Sequence, residues 1–190
     1  TENSNEIHDN AEMALNHLGL KVQFYDISSG IPPGNLTDGF GGIITWFQDD
    51  QLDDPVSYCR WLRNQVSSGK KLVILEDLGA AIDKETGSDT PPEEINKVYN
   101  AIGLKLIEEW TDNPYVLQIV YKDPKMVEFE RNLENRLVFY RQIASIDPYN
   151  RVYLKLRRTD MKDSTADVVV TTRNGGFVLS KYPYYQDPNN

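Results

Sequence analysis

Residues Gly42 to Ala80, GIITWFQDDQLDDPVSYCRWLRNQVSSGKKLVILEDLGA, constrain the fold more than any other stretch of the chain. An apolar run at Ile43–Phe47 is followed by an acidic loop, a helical pattern from about Asp54 to Ser67, a glycine stop at Gly69 and a second apolar run at Leu72–Leu75. Two short apolar runs joined through one helix, each turning polar at its end, are the sequence form of a parallel βαβ unit. Both polar tips then lie on one edge of the sheet, beyond the carboxyl ends of the strands, where ligands of open α/β sheets usually sit. Asp49, Asp50, Asp53, Glu76 and Asp77 are therefore the first candidate site residues.

The joining helix is well specified. Asp54 can cap it, Pro55 suits its first turn, and Val56, Cys59, Trp61, Leu62 and Val66 supply an apolar face with Cys59 inside it. Upstream, a cap near Ser4 followed by Ile7, Ala11, Ala14, Leu15 and Leu18 predicts a helix with one buried face, ended by Gly19. Leu20–Ile27 reads as a strand and 28–34 as its loop. A doubly wound domain starts with a strand, so the pattern predicts a chain cut from a longer protein, with its opening strand before Thr1.

Downstream, Asp83–Pro92 reads as a polar loop or flap, and Pro92 starts a helix through about Ile102. Gly103–Asn113 fits either a helix end or a short strand, Val116–Tyr121 fits a strand, and Pro124–Glu130 and Leu133–Phe139 fit either a helix or a strand region interrupted by charge, a helix over Met126–Glu134 being favoured. Arg151–Arg157 alternates Val152, Leu154 and Leu156 against Tyr153, Lys155 and Arg157, giving one buried and one wet face. Ala166–Thr172 and Phe177–Leu179 flank an Asn174-Gly175-Gly176 turn and predict an antiparallel hairpin. Lys181–Asn190 reads as a tail or linker. The expected architecture is a single α/β domain over 1–190 whose parallel sheet carries an antiparallel C-terminal edge.

Composition narrows the function. The 190 residues hold 29 acidic side chains against 20 Lys and Arg, a net charge of -9, which disfavours nonspecific nucleic-acid binding. Arg157-Arg158 is the only compact basic pair in a strand-like segment. One cysteine forms no intrachain disulfide and no multi-cysteine metal site. No run in the sequence is long and apolar enough to span a bilayer. Eleven Tyr and three Trp supply core packing or a face for sugar or protein.

Chemistry is sparse. A dinucleotide site needs glycines where a strand becomes a helix, and neither Gly39-Phe40-Gly41-Gly42 nor Leu78-Gly79-Ala80 is so placed, so no nucleotide cofactor is expected. The elbow after Leu72–Leu75 holds Glu76-Asp77 instead of a Cys or Ser nucleophile. His8 and His17 lie too far apart on the first helix to share a metal ion. The acids at 49–54, with Glu76 and Asp77 across the strand tips, could serve paired-carboxylate or metal-assisted hydrolysis, but their spacing matches no calcium loop and no metal site is assigned.

The segments NEIHDNAEMALNHLGLKVQFYDISSGIP and Gly42 to Ala80 together resemble the central, non-hydrolase region of the PelA family of bacterial exopolysaccharide proteins, over roughly Asn5 to Ala80. That family places the region between a glycoside-hydrolase and a polysaccharide-deacetylase domain. The resemblance implies a periplasmic or exported protein and a three-layer, flavodoxin-like or class I glutamine-amidotransferase-like domain. It also implies catalytic degeneracy, since no Cys stands at the elbow, no late His-x-Glu pair follows, no flavin phosphate loop is present and the deacetylase Asp-His-His set is absent. The expected function is a non-catalytic accessory domain that binds or positions polysaccharide, a cationic amino-sugar polymer above all, or neighbouring domains. Trp46, Asp50, Asp53 and Glu76 are the expected ligand-binding residues, with Trp61 or Tyr185 as further stacking rings. The alternatives are a hydrolase using Asp49, Asp50 and Glu76, with Asp77 beside them, and a purely structural spacer.

Overall fold

The structure, a computed structural model, describes residues 7–47, 49–111, 117–125 and 139–179. The expected cap at Ser4, the helix over Met126–Glu134 and the tail at Lys181–Asn190, with Tyr185, lie outside the described residues.

The βαβ unit is present. Strand β1 (Gly42–Thr45) leads through a two-residue strand β2 (Gln51–Leu52) into helix α2 (Pro55–Ser67) and then β3 (Lys71–Leu75). Helix α1 (Met13–His17) precedes them. β1 and β3 pair in parallel, from Gly42 opposite Lys71 to Thr45 opposite Ile74. Asp54 caps α2 by accepting from the Ser57 N–H at 3.1 Å, in a left-handed conformation, with Pro55 in the first turn. Tyr58, Cys59, Leu62 and Val66 of α2 are buried. Leu62 on the helix and Leu72 on β3 are fully excluded from solvent, each contributing about 2 kcal/mol of transfer free energy.

The rest of the chain adds β4 (Ile82–Asp83), α3 (Pro92–Ala101), β5 (Leu104–Thr111), β6 (Leu117–Lys122), β7 (Phe139–Ser145), β8 (Arg151–Arg158), β9 (Ala166–Thr172) and β10 (Gly175–Val178). The main sheet has six strands in the order β1-β3-β10-β9-β8-β6. β10 joins its halves, parallel to β3 on one side and antiparallel to β9 on the other. β9–β8 and β8–β6 continue antiparallel, so the sheet is mixed and the expected antiparallel edge makes up half of it. A Cβ at Gly175, where φ is +151°, would collide with the Leu72 carbonyl, so only glycine lets β10 dock on β3. The described residues also form two small sheets: β2 parallel to β4, and β5 antiparallel to β7.

Helices α2 and α3 pack on each other, and Tyr99 of α3 meets Phe177 of β10 edge-to-face at 6.2 Å. They cover the sheet face carrying Leu72, Ile74 and Phe177. The segment 34–40 lies along α2, held by the buried Gln65 side chain: its amide donates to Asn35 Oδ1 and its oxygen accepts from the Leu36 N–H. Trp61 Nε1 donates to Gly34 O at 2.8 Å, and Lys70 reaches the carbonyls of Thr37 and Phe40.

Two expectations at the N-terminus are corrected. The first helix forms as a π-helical stretch, His8–Glu12, running into α1, but α1 buries no residue, and Met13 and Leu18 are exposed. Leu20–Ile27 is not a strand: it runs irregularly into a 3-10 turn at Ile27–Ser29. Apolar alternation makes a strand only where a neighbouring strand satisfies its backbone, and no described strand lies beside this segment. Gly103–Asn113, left open between helix and strand, is β5 over Leu104–Thr111.

Candidate functional site

The strand tips of β1 and β3 do meet on one edge, and the structure shows how their acids are used. At the end of β3 the chain makes a sharp turn: Glu76 adopts φ +71°, rare for a residue with a side chain, while its N–H donates to Val178 O at 2.8 Å. Asp77 follows, buried. Its Oδ1 accepts from the Gly79 N–H at 2.9 Å, and its carbonyl accepts from Thr45 Oγ1 on β1 at 2.9 Å. Gly79, at φ +65°, lies against the Phe47 ring so closely that a Cβ would run into it. The two strand ends are thus stitched together by short backbone and side-chain bonds.

Asp50 closes the arrangement from the β1–α2 loop. Its Oδ1 accepts from the Ala81 N–H at 3.2 Å, alongside the β2–β4 pairing of Gln51 with Ile82. Its Oδ2 accepts from Arg141 Nη2 at 2.7 Å. Arg141, from β7, is the residue that sequence reasoning missed. Its side chain is only 5 % exposed, its Nη1 donates to Glu76 O at 3.1 Å, and it lies 3.9 Å from Asp77 Oδ2. One guanidinium therefore ties the β1 loop, the β3 tip and the separate β5–β7 sheet. The only sequence signal was an Arg inside the strand-like run FYRQIA, whose partners are 64 or more positions away in the chain.

The cavity between these groups, lined by Asp50, Asp77, Ala80, Ala81, Tyr99 and Arg141 among others, is about 10 Å³. That is room for a single water molecule and not for a sugar ring or a peptide. Of the expected site residues, Asp50 and Asp77 are brought together with the Glu76 backbone, but around Arg141. Asp49 is exposed and turns its Oδ1 to the Gln51 N–H at 3.3 Å. Asp53 is exposed on the same loop, and Trp46 is half-buried at the end of β1. Trp61 stacks on Tyr58 at 6.4 Å and spends its indole N–H on Gly34.

Other chemically capable groups are elsewhere engaged. Cys59 is fully buried, and burial pushes its thiol up to about 12, far from the range of a nucleophile. Burial likewise pushes the Tyr58 phenol up. His8 pairs with Glu12 on its own helix. Among the described residues, no group of three or more His, Cys, Asp or Glu is arranged to hold a metal ion, and no helix is long and apolar enough to cross a membrane. No known family, curated protein or solved structure matches this chain.

Proposed function

We propose that this chain is a non-catalytic accessory domain of an exopolysaccharide-producing or exopolysaccharide-modifying protein, working outside the cytoplasm. In this reading it positions polysaccharide or the domains beside it. The observation that carries the reading is the closed strand-tip edge. Where an amidotransferase-like fold would hold its nucleophile, a sharp turn after a parallel strand holds Glu76, and the adjoining acids are spent on Arg141. An elbow kept in shape without a nucleophile, over a cavity of about 10 Å³, is what a degenerate amidotransferase-like or flavodoxin-like domain would retain.

The part of the acidic edge left for a ligand is the loop surface carrying Asp49 and Asp53, with Trp46 at its base. Exposed carboxylates on the loop that follows a half-buried Trp46 suit the ammonium and C–H faces of a partly deacetylated amino-sugar polymer. The reading is tested by titrating the chain with chitosan oligomers. Binding that weakens at least about fivefold in Asp49→Asn/Asp53→Asn and survives in Glu76→Gln supports it. The hydrolase alternative requires the reverse dependence, with product formation lost in Glu76→Gln.

A further inference from the structure

A second surface, remote in the sheet order from the strand tips, has a different chemistry. β8 and β6 end the six-stranded sheet, and their register puts Gln118 opposite Arg157 and Tyr121 opposite Lys155. With the pleat of β8, the face opposite the buried Leu156 carries Arg151, Tyr153, Lys155 and Arg157. Three cations and two tyrosine rings thus share one side of two strands, on a protein whose net charge is -9. The Arg151 guanidinium lies over the Tyr153 ring at 4.8 Å. Tyr121 is 42 % exposed.

Among the described residues the carboxylates paired with this patch are Asp123 and Asp167, and they leave it unbalanced. Asp123 takes Arg151 at 3.0 Å and Asp167 takes Lys155 at 2.8 Å, while both basic side chains stay substantially exposed. Among the described residues no carboxylate pairs with Arg157, whose Nη2 donates to Gln118 Oε1 at 3.4 Å. A partly exposed guanidinium with no counter-charge among the described residues, near the exposed Tyr121 and half-buried Tyr153 on an extended sheet face, is a site for a ligand offering carboxylates and flat C–H faces together.

We propose that this face of β6 and β8 binds an anionic polysaccharide whose carboxylates alternate with neutral sugars. The inference takes from the preceding reading only that the ligand is a polysaccharide; the site and the sign of the ligand's charge are new. Arg157 anchors a uronate carboxylate, Tyr121 and Tyr153 stack on sugar rings, and Arg151 and Lys155 add accessible donors at the margin. Charge density favours a glycan over a nucleic acid. Single-stranded nucleic acid brings a phosphate at roughly every 3.4 Å of strand and needs several uncompensated cations. One such arginine on a strongly acidic protein suits a sparsely charged polymer.

The test is a heteronuclear NMR titration with oligosaccharides of alternating glucuronate and N-acetylglucosamine, run beside neutral cello-oligosaccharides, chitosan oligomers and oligothymidylate. The expected result is shifts confined to β6 and β8 with the glucuronate oligomer, weakened by salt. Arg157→Gln and Tyr121→Ala should each reduce affinity roughly tenfold, and Arg60→Gln on α2 should leave it unchanged. Thermal melts of each variant separate lost binding from lost folding, and Arg157→Gln alone decides the matter if Tyr121→Ala does not fold. Binding unaffected by Arg157→Gln, shifts elsewhere, no binding, or oligothymidylate binding as tightly as the glycan would each overturn the proposal. Chitosan shifts at 49–53 report separately on the strand-tip reading, so either idea can fail without the other.

Discussion

Replacing Arg141 by Met removes one guanidinium and keeps most of the aliphatic stem that fills its buried path. Three consequences can be weighed from the geometry. Asp77, with a side chain 7 % exposed, loses the cation 3.9 Å from its Oδ2, and breaking an ion pair at that depth costs about 3 kcal/mol. The Glu76 carbonyl loses a donor at 3.1 Å, worth about 1 kcal/mol. Asp50 loses the shortest bond of the three, at 2.7 Å, but its side chain is 26 % exposed and water replaces much of that interaction, so it adds little. The expected total is about 4 kcal/mol. At about 3 °C per kcal/mol for a domain of this size, the melting temperature should fall by roughly 12 °C. Calorimetry with far-ultraviolet circular dichroism reads the change. Adding Asp77→Asn to Arg141→Met removes the stranded charge while the amide oxygen still accepts from Gly79, and should recover more than half of the loss. A single variant melting within about 2 °C of the parent, or a double variant no better than the single, would refute the view that Arg141 holds this edge together.

Two further outcomes follow from other parts of the fold. Gly175→Ala should destabilise by about 3 kcal/mol or more, because the new methyl meets the Leu72 carbonyl at a φ of +151°; a denaturant melt showing less than about 1 kcal/mol would contradict the β3–β10 pairing. Cys59 gives an alkaline signature: with the folded thiol raised to about 12 from 9.0, its stabilisation is complete below pH 9 and is lost as pH rises toward 12. The melting temperature should therefore fall over that window less steeply in Cys59→Ala than in the parent. Native Cys59 should also resist a thiol reagent at pH 8 until the chain unfolds.

How much of this was legible in the sequence depends on how local the determining interaction is. The βαβ unit was legible because its signals are short-range: a cap at Asp54, Pro55 behind it, an apolar face on α2 and two bounded apolar runs. The hairpin was legible through Asn174-Gly175, though its second strand's parallel pairing with β3, some hundred residues away, was not. Leu20–Ile27 misled because its alternation is real but has no described strand beside it. Strand β5 stayed ambiguous for the complementary reason, its partner residues in β7 lying 28 or more positions downstream.

The acids at the strand tips were rightly expected on one edge, since strand direction alone places them there. Their use was not legible, because what decides it is Arg141, on a strand of another sheet, arriving between Asp50 and Asp77. Charge patterning along the chain has no access to such a pairing. The same holds for the β6–β8 face, where alternation in β8 announced a wet side but not that Tyr121 and Gln118 would stand beside it.

The central claim is that the strand-tip edge supports binding and not turnover, and one sample can test it. Proton–nitrogen and anomeric proton NMR spectra of the chain with excess chitosan oligomers would be followed together over days. The account predicts amide shifts at 49–53, unchanged amides at Gly79 and Ala81, which donate to Asp77 and Asp50 beside the small cavity, and an oligomer spectrum constant with time. New anomeric or released-acetate signals that grow with time, and vanish in Glu76→Gln, would contradict it.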